Sequence, residues 1–232
     1  MQKINIPQDW KDKMQKTVDS AKGAIKDVKI QIPNILQAKE PTQIQIDSNE
    51  PIKYISTKCA LTLIYYLMAS DNVITDDEKN NFVLIGIELD KNFSDEIEAI
   101  ITVCTNTISQ SSNRMEAIKN GIDISLTSPI YDNQQIISPK LLVWDLLTIA
   151  CSDGQYDSSE KELIEYIVSK LDIEKAIYLE MENSILTLMD LDKEIKWIKS
   201  TNKQYLVIEE NVNELENRKN TIFESVKTLI AL

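Results

Sequence analysis

The chain has 232 residues, a formal net charge of −12 and no histidine. This length suits one large domain or one domain with appendages, and the missing histidine excludes histidine-dependent catalytic triads and histidine-ligated zinc sites. The acidic charge disfavours nucleic acid as a partner, because phosphate backbones repel it. Glycine (4) and proline (6) are scarce, which favours an all-α protein.

The first 36 residues predict an amphipathic N-terminal helix. Its apolar residues recur at the helical period and are Trp10, Met14, Val18, Ala21, Ile25 and Val28. Residues 1–30 hold seven lysines and four aspartates, a local charge of +3, so the remaining residues carry −15. We expect this basic helix to dock on the acidic body of its own chain or on a partner protein. The alternative is contact with an anionic membrane surface.

The sequence shows no targeting or membrane-spanning segment. The N-terminal region lacks an apolar h-region, and no run of 18 apolar residues occurs, so we expect a cytoplasmic protein without a transmembrane segment. The three cysteines, Cys59, Cys104 and Cys151, are far apart and odd in number. This arrangement argues against a disulfide framework or a thiolate metal site, and favours small buried apolar side chains in a reducing compartment.

Residues 37–52 predict a polar linker, with a short extended piece at Gln43–Ile46. Residues 53–175 predict a helical domain with helices over 54–70, 76–90, 94–110, 113–126, 139–151 and 158–171. The fourth of these helices is expected to end near Lys119–Gly121, and residues 127–139 to form a loop. The run FVLIGIEL (82–89) has the composition of a strand, but the cap residues before it favour a helix.

Residues 176–232 predict C-terminal helices that pack on the domain or on a partner. Residues 174–200 suit one or two helices. Residues 203–230 carry a heptad seam with one lysine in it, formed by Ile208, Val212, Leu215, Lys219, Ile222, Val226 and Leu229. Because this seam is short for a coiled coil, we expect it to pack within the chain, with pairing to another chain as the alternative.

Two acidic segments, SDNVITDDEK (70–79) and SDGQYDSSEK (152–161), match each other. Aligning residues 69–90 with 151–172 gives seven identities in 22 positions, and the apolar spacing that follows each segment also matches. Each segment joins two predicted helices. The match therefore predicts an internal helix–loop–helix duplication within a helical bundle.

The residues of these segments suit helix caps. Gly154 follows a predicted helix, where a residue with positive φ ends the helix without a Cβ penalty. Thr75 with Glu78, and Asp157 with Glu160, have the spacing of a capping box, in which the glutamate returns to the backbone N–H of the cap residue. Both glutamates therefore have a purely structural role open to them.

The same segments also suit a cation site. Asp71 and Asp153 follow predicted helices, where the helix dipole disfavours negative charge. Neither loop is an EF-hand, because position 12 counted from Asp153 is Ile164 and not a bidentate glutamate. If the loops meet, Asp71, Glu78, Asp153 and Glu160 supply oxygen ligands for Ca²⁺, Mg²⁺ or Mn²⁺. If they lie at opposite ends, each aspartate only accepts nearby backbone N–H groups in an Asx turn.

A helix that ends in an A-x-D-G-like step, followed by x-x-[ST/D]-x-x-E and an amphipathic helix, resembles the TerB (tellurite-resistance-B-like) family. The motifs are MASDNVITDDEK and ACSDGQYDSSEK, and the resemblance covers about residues 55–175. The first motif departs from the family pattern at Asn72, where glycine is expected. The resemblance implies an all-helical domain with an internal duplication, and a divalent-metal cluster at Asp71, Glu78, Asp153 and Glu160. It also implies a role in bacterial responses to chemical stress or phage, without established catalysis.

The functional prediction is a non-enzymatic stress-response domain that binds a divalent metal, docks partner proteins, or does both. The alternative is a purely structural helical adaptor without a metal site. The four glycines are too scattered for a phosphate-binding loop, which leaves a carboxylate metal hydrolase as the remaining enzymatic alternative. Because tellurite is an oxyanion, a carboxylate cluster would not bind it directly.

Overall fold

The computed structural model describes residues 43–44, 52–71, 73–131, 134–201 and 205–231. These residues are mostly helical, as predicted for an all-α protein. The helices are α1 (Thr57–Met68), α2 (Asp76–Leu89), α3 (Phe93–Ser109), α4 (Arg114–Leu126), α5 (Pro139–Ala150), α6 (Ser158–Lys170), α7 (Lys175–Lys199) and α8 (Tyr205–Ala231). Four two-residue strands accompany them, namely β1 (Gln43–Ile44), β2 (Ile55–Ser56), β3 (Ile130–Tyr131) and β4 (Ile136–Ile137).

Helix α1 lies at the centre of the fold. Nine of its twelve residues are buried, including all of residues 63–68. Because six consecutive helical residues point in every direction around the axis, a helix of this kind must be enclosed by other elements. Helices α2, α3, α4, α5 and α6 all contact α1. Each fully buried leucine or isoleucine contributes about 1.5–3 kcal/mol, so α1 anchors the main core.

Two helix–loop–helix units meet around this centre. Helices α1 and α2 form the first unit, and α5 and α6 form the second. The leading helices α1 and α5 contact each other, and each also contacts the second helix of the other unit, so that α1 meets α6 and α5 meets α2. Helices α3 and α4 pack on each other and on α1. The predicted helix that contains FVLIGIEL is confirmed as α2.

The start of α1 shows how a cap and a strand together set a helix boundary. The prediction began this helix at residue 54, whereas the structure begins it at Thr57. The two preceding residues form β2, which pairs antiparallel with β4. The Ser56 hydroxyl then accepts the Cys59 N–H at 3.2 Å, which satisfies a donor that the first helical turn leaves without a partner.

Two predictions for the middle of the chain were wrong. Residues 127–139 are not only a loop, because β3 pairs with β1 and β4 pairs with β2. For helix α4, the predicted range 113–126 is confirmed, whereas the predicted end near Lys119–Gly121 is wrong, because the helix continues to Leu126. Gly121 lies inside α4 because of close packing, since a Cβ built there would be 2.3 Å from the Tyr66 hydroxyl oxygen on α1.

Helices α7 and α8 form a hairpin that packs on α5. Residues 175–199 are one helix, and the heptad seam of α8 faces α7. Lys219, the charged residue of that seam, donates to Asp192 at 2.5 Å. The outer part of the hairpin has a small core separate from the main one, consisting of Leu191, Ile195, Val212 and Leu215. The C-terminal helices therefore extend beyond the main core.

The predicted N-terminal helix (1–36) and most of the predicted linker (37–52) lie outside the described residues. None of the helices in the described part of the chain has both the length and the apolarity needed to cross a membrane. Cys104 and Cys151 are buried and Cys59 is partly buried, and all three are free thiols.

We expect Gly121→Ala to lower the free energy of unfolding by about 1–3 kcal/mol, because the added methyl group overlaps the Tyr66 side chain. Asn120→Ala is the matched control at an exposed neighbouring position of α4, and should change the stability by no more than about 0.5 kcal/mol. Urea denaturation followed by circular dichroism measures both. Equal effects of the two substitutions would contradict the close contact between α4 and α1.

Candidate functional site at the acidic loops

The loops that join the helices of the two units begin with the same backbone hydrogen bond. We call residues 69–75 the first acidic loop and residues 151–157 the second acidic loop. The Ser70 N–H donates to the Leu67 carbonyl at 2.9 Å, and the Ser152 N–H donates to the Ile149 carbonyl at 3.0 Å. Each bond closes the last turn of a leading helix. In the second loop Gly154 has a φ of 84°, as the sequence predicted for a residue that ends a helix.

Both predicted capping boxes are present. The Thr75 N–H donates to Glu78 Oε2 at 2.6 Å, while the Glu78 N–H donates to Thr75 Oγ1 at 3.2 Å. In the second loop, the Asp157 N–H donates to Glu160 Oε2 at 3.0 Å, and the Glu160 N–H donates to Asp157 Oδ1 at 3.0 Å. The two glutamates therefore hold the N-termini of α2 and α6.

The two aspartates form the Asx turns that the sequence offered as an alternative. The Val73 N–H donates to Asp71 Oδ1 at 2.9 Å, and the Gln155 N–H donates to Asp153 Oδ1 at 2.8 Å. Both aspartates are exposed. Each of the four predicted site residues thus has a local hydrogen-bonding role.

The acids of the two loops nevertheless act on each other. Glu78 and Glu160 are buried, with 5% and 8% of their surfaces exposed. Burial raises the pKa of Glu78, the Thr75 hydrogen bonds lower it, and the charges of Asp71 and Asp153 raise it again. Because Asp153 belongs to the other loop, the two loops must lie at the same end of the helix pair.

The pKa of Glu160, in the second unit, is likewise raised by acids of the first unit. Burial raises its pKa to about 8, the hydrogen bond from the Asp157 backbone opposes this, and the charges of Asp157, Glu78 and Asp71 add to the rise. Two of these three charges come from the first unit. The site is therefore a junction of like charges, in which ionising one carboxyl group makes ionising the next more difficult.

The donor chemistry fits a hard divalent cation, but the arrangement of the acids does not form a finished site. Carboxylate oxygens are the ligands that Ca²⁺, Mg²⁺ and Mn²⁺ prefer. Within the residues that the structure describes, no three histidine, cysteine, aspartate or glutamate side chains are placed to hold one metal ion. A shared cation would require the loops to rearrange.

Two serine hydroxyls at the junction lack partners. Ser70 Oγ and Ser152 Oγ are buried and make no hydrogen bond among the described residues. They hold equivalent places, immediately before Asp71 and Asp153. Buried hydroxyls normally have a partner, so both units leave an oxygen unsatisfied beside the acids. The identity of these serines in the two segments was visible in the sequence, but their burial was not.

The second loop is tied to the C-terminal hairpin through Glu182, an acid that the sequence analysis missed. Glu182 lies on α7 and is 4% exposed. Its carboxylate accepts the hydroxyls of Tyr156 at 3.1 Å and Tyr178 at 2.8 Å. It also lies 3.0 Å from the Lys161 ammonium. Burial raises the pKa of Glu182, but the hydrogen bonds from Tyr178, Lys161 and Tyr156 outweigh it and the pKa is lowered. All three partners contact Oε1, and no sequence motif marks this acid.

The first loop is tied to α4 instead. The Arg114 guanidinium donates from Nε at 2.7 Å and from Nη2 at 2.5 Å to the Ala69 carbonyl. This carbonyl lies at the C-terminal end of α1, where the helix dipole favours a cation. Arg114 therefore fixes the start of the first loop. Its positive charge comes from α4, which belongs to neither unit.

We expect Glu160→Ala to lower the free energy of unfolding by roughly 0.5–2 kcal/mol in chelator, because the capping box of α6 is lost. Glu165→Ala is the control, since Glu165 is exposed in the middle of α6 and belongs to no cap. Denaturant melts of both variants at pH 6 give the comparison. Unchanged stability of Glu160→Ala would refute the structural role of this glutamate.

We expect the stability of the chelated protein to fall as the pH rises from about 5 to about 8. The pKa of Glu160 is raised to about 8 from an ordinary value of 4.5, so in this range the folded state holds a proton that the unfolded chain has released. Stability is thus fully present below the unfolded pKa and declines above it, by at most about 1.4 kcal/mol per pH unit for one proton. Melts across this range measure the slope.

The matching variants are Glu160→Gln, which should reduce this slope, and Glu165→Gln, which should leave it unchanged. A slope that Glu160→Gln does not alter would show that Glu160 titrates normally.

Comparison with known proteins identifies no relative of this chain. No protein-family model, no curated protein and no solved structure matches the chain. The resemblance to the TerB family therefore rests on the two acidic motifs.

Proposed function

We propose that this chain is a non-enzymatic TerB-like domain, built from a duplicated helix–loop–helix unit, that binds a divalent cation between its two acidic loops. The ligands are Asp71, Glu78, Asp153 and Glu160, and the cation is Ca²⁺, Mg²⁺ or Mn²⁺. The role is in a bacterial response to chemical stress, as the resemblance to the TerB family implies.

The observation that carries the proposal is the repulsion between carboxylates of the two loops. Asp153 raises the pKa of Glu78, and Glu78 and Asp71 raise the pKa of Glu160. Without a cation, the junction reduces its charge at neutral pH by keeping the proton of Glu160, whose pKa is raised to about 8. A divalent ion removes the same repulsion at neutral pH, and the unpartnered Ser70 and Ser152 hydroxyls add two oxygens near the acids.

The non-enzymatic part of the proposal rests on the absence of histidine and on the state of the thiols. Burial raises the pKa of Cys59, Cys104 and Cys151 to about 12 each. At neutral pH these thiols are protonated and are poor nucleophiles. Because tellurite is an anion, the acidic junction would contribute to resistance through a bound cation or through a partner protein.

A helical adaptor without a metal site is the second candidate. It is favoured because all four acids already have local hydrogen-bonding roles, and because no acid group in the described ranges is arranged for a metal. The hairpin of α7 and α8 also exposes Trp197, with 68% of its surface accessible. The two candidates differ in their response to cations.

We expect one of the three ions to raise the melting temperature of the chelator-treated protein. The stabilisation from a site that binds only the folded state is about 2.7 kcal/mol at 100 times Kd. Asp153→Asn should abolish this response and slightly stabilise the metal-free protein, because the amide keeps the Asx turn but removes one charge. Differential scanning fluorimetry with each ion measures both effects.

The matched control is Asp157→Asn, because asparagine caps helices as well as aspartate does. This variant should keep the wild-type response to the ion. If none of the three ions stabilises the wild-type protein, the adaptor becomes the better description. If Asp153→Asn responds like the wild type, any bound ion lies elsewhere.

A further inference from the structure

A second acidic feature lies away from the loops, in the middle of α5. Asp145 is buried, with 8% of its surface exposed, and its Oδ2 atom has no hydrogen-bond partner among the described residues. Burying an unpaired carboxyl group is costly. A side chain of this kind points to a partner that the described part of the chain does not supply.

Packing alone does not require an acid at this position. The two leading helices, Thr57–Met68 and Pro139–Ala150, keep the 82-residue offset of the aligned segments, and at this offset Asp145 corresponds to Leu63, which is fully buried in the main core. The fold therefore accommodates an apolar side chain at the equivalent place in the first unit. The aspartate is a specific difference of the second unit.

Glu88 on α2 makes Asp145 part of an acidic pair. Helices α2 and α5 are in contact, and Glu88 is exposed. Burial, together with the Glu88 charge, raises the pKa of Asp145 to about 8. Leu84 lies one turn before Glu88 on α2 and is 45% exposed. The edge of the α2–α5 contact thus combines an exposed apolar side chain, an exposed carboxylate and a buried carboxyl group.

The chain itself contains a segment of complementary chemistry. Residues 9–29 combine the apolar stripe with six lysines, at positions 11, 13, 16, 22, 26 and 29. The first 30 residues carry a charge of +3, against −15 for the rest of the chain. A lysine has both the charge and the reach for a partly buried carboxylate, because its aliphatic stem can cover apolar surface.

The residues between position 29 and strand β1, which we call the tether, lead to the same end of the molecule as Glu88. Strand β1 pairs with β3, and β4 pairs with the strand that enters α1. The Thr57 hydroxyl at the start of α1 donates to Asp90 at the end of α2, at 2.8 Å. The C-terminal end of α2, which carries Glu88, is therefore near the place where the chain enters the fold. The residues between 29 and 43 can span up to roughly 45 Å.

We propose that residues 9–29 dock on the surface formed by Leu84, Glu88 and Asp145, with a lysine of this segment paired to the two carboxylates. The apolar stripe then covers Leu84, and the lysine supplies the missing partner of Asp145. The segment occupies this surface within one chain, because the tether keeps its effective concentration high.

Carbodiimide cross-linking of the full-length chain, which joins lysine amines directly to carboxylates, tests the contact. Mass spectrometry should find Glu88 linked to one of the six lysines, and Glu88→Gln should remove this link. Asp95→Asn is the control at an exposed acid of α3, and should leave the link intact. A mixture of isotope-labelled and unlabelled chains separates links within a chain from links between chains.

A double-mutant cycle tests the role of Asp145. Asp145→Leu, which copies Leu63, is made in two backgrounds, the natural sequence and a variant in which the six lysines are changed to glutamine. The substitution should raise the melting temperature more in the glutamine background, because in the natural sequence it also removes the ion pair between Asp145 and a lysine. Identical shifts in both backgrounds, together with no link from these lysines to Glu88, would overturn the proposal. Links found only between different chains would also overturn it, in favour of a second copy as the occupant.

Discussion

The enclosure of α1 determines where the other helices lie. With residues 63–68 buried on every side of the helix axis, α1 must be surrounded, and five helices contact it. Helix α5 is one of the five and is itself packed between α1, α2, α6, α7 and α8. The contacts of α1 with α5 and α6, and of α5 with α2, bring acids of the two units close enough to raise each other's pKa. The acidic junction is thus a consequence of core packing.

The junction combines a stabilising and a destabilising arrangement in the same side chains. Glu78 and Glu160 complete capping boxes, which satisfy backbone donors at the starts of α2 and α6. The same glutamates are buried near other acids, so their ionised forms are disfavoured. Protonation keeps the cap, since a neutral carboxyl group still accepts an N–H, and removes the repulsion. A cation between the loops would have the same electrostatic effect without the proton.

The two units differ in their surroundings more than in their loops. The first loop is held by Arg114 of α4, whereas the second is held through Tyr156 by Glu182 of α7. The second unit also carries Asp145 where the first has Leu63. The C-terminal hairpin, which lies outside the matched motifs, packs on α5 of the second unit.

The sequence by itself determined the features that depend on neighbouring residues. Helix α2, the capping boxes and the heptad seam were predicted because periodicity and caps act within a turn or two of helix. The pairing of β1 with β3 and the reason for a glycine at position 121 inside α4 were missed, since each depends on a distant contact, such as that of Gly121 with Tyr66. Sequence spacing placed two matching pairs of acids 82 residues apart, with an aspartate in each loop and a glutamate in the first turn of the helix that follows. Only the tertiary structure decided that these acids interact and that Asp145 is buried, with no hydrogen-bond partner for its Oδ2 atom among the described residues. Both features follow from the packing of the two units.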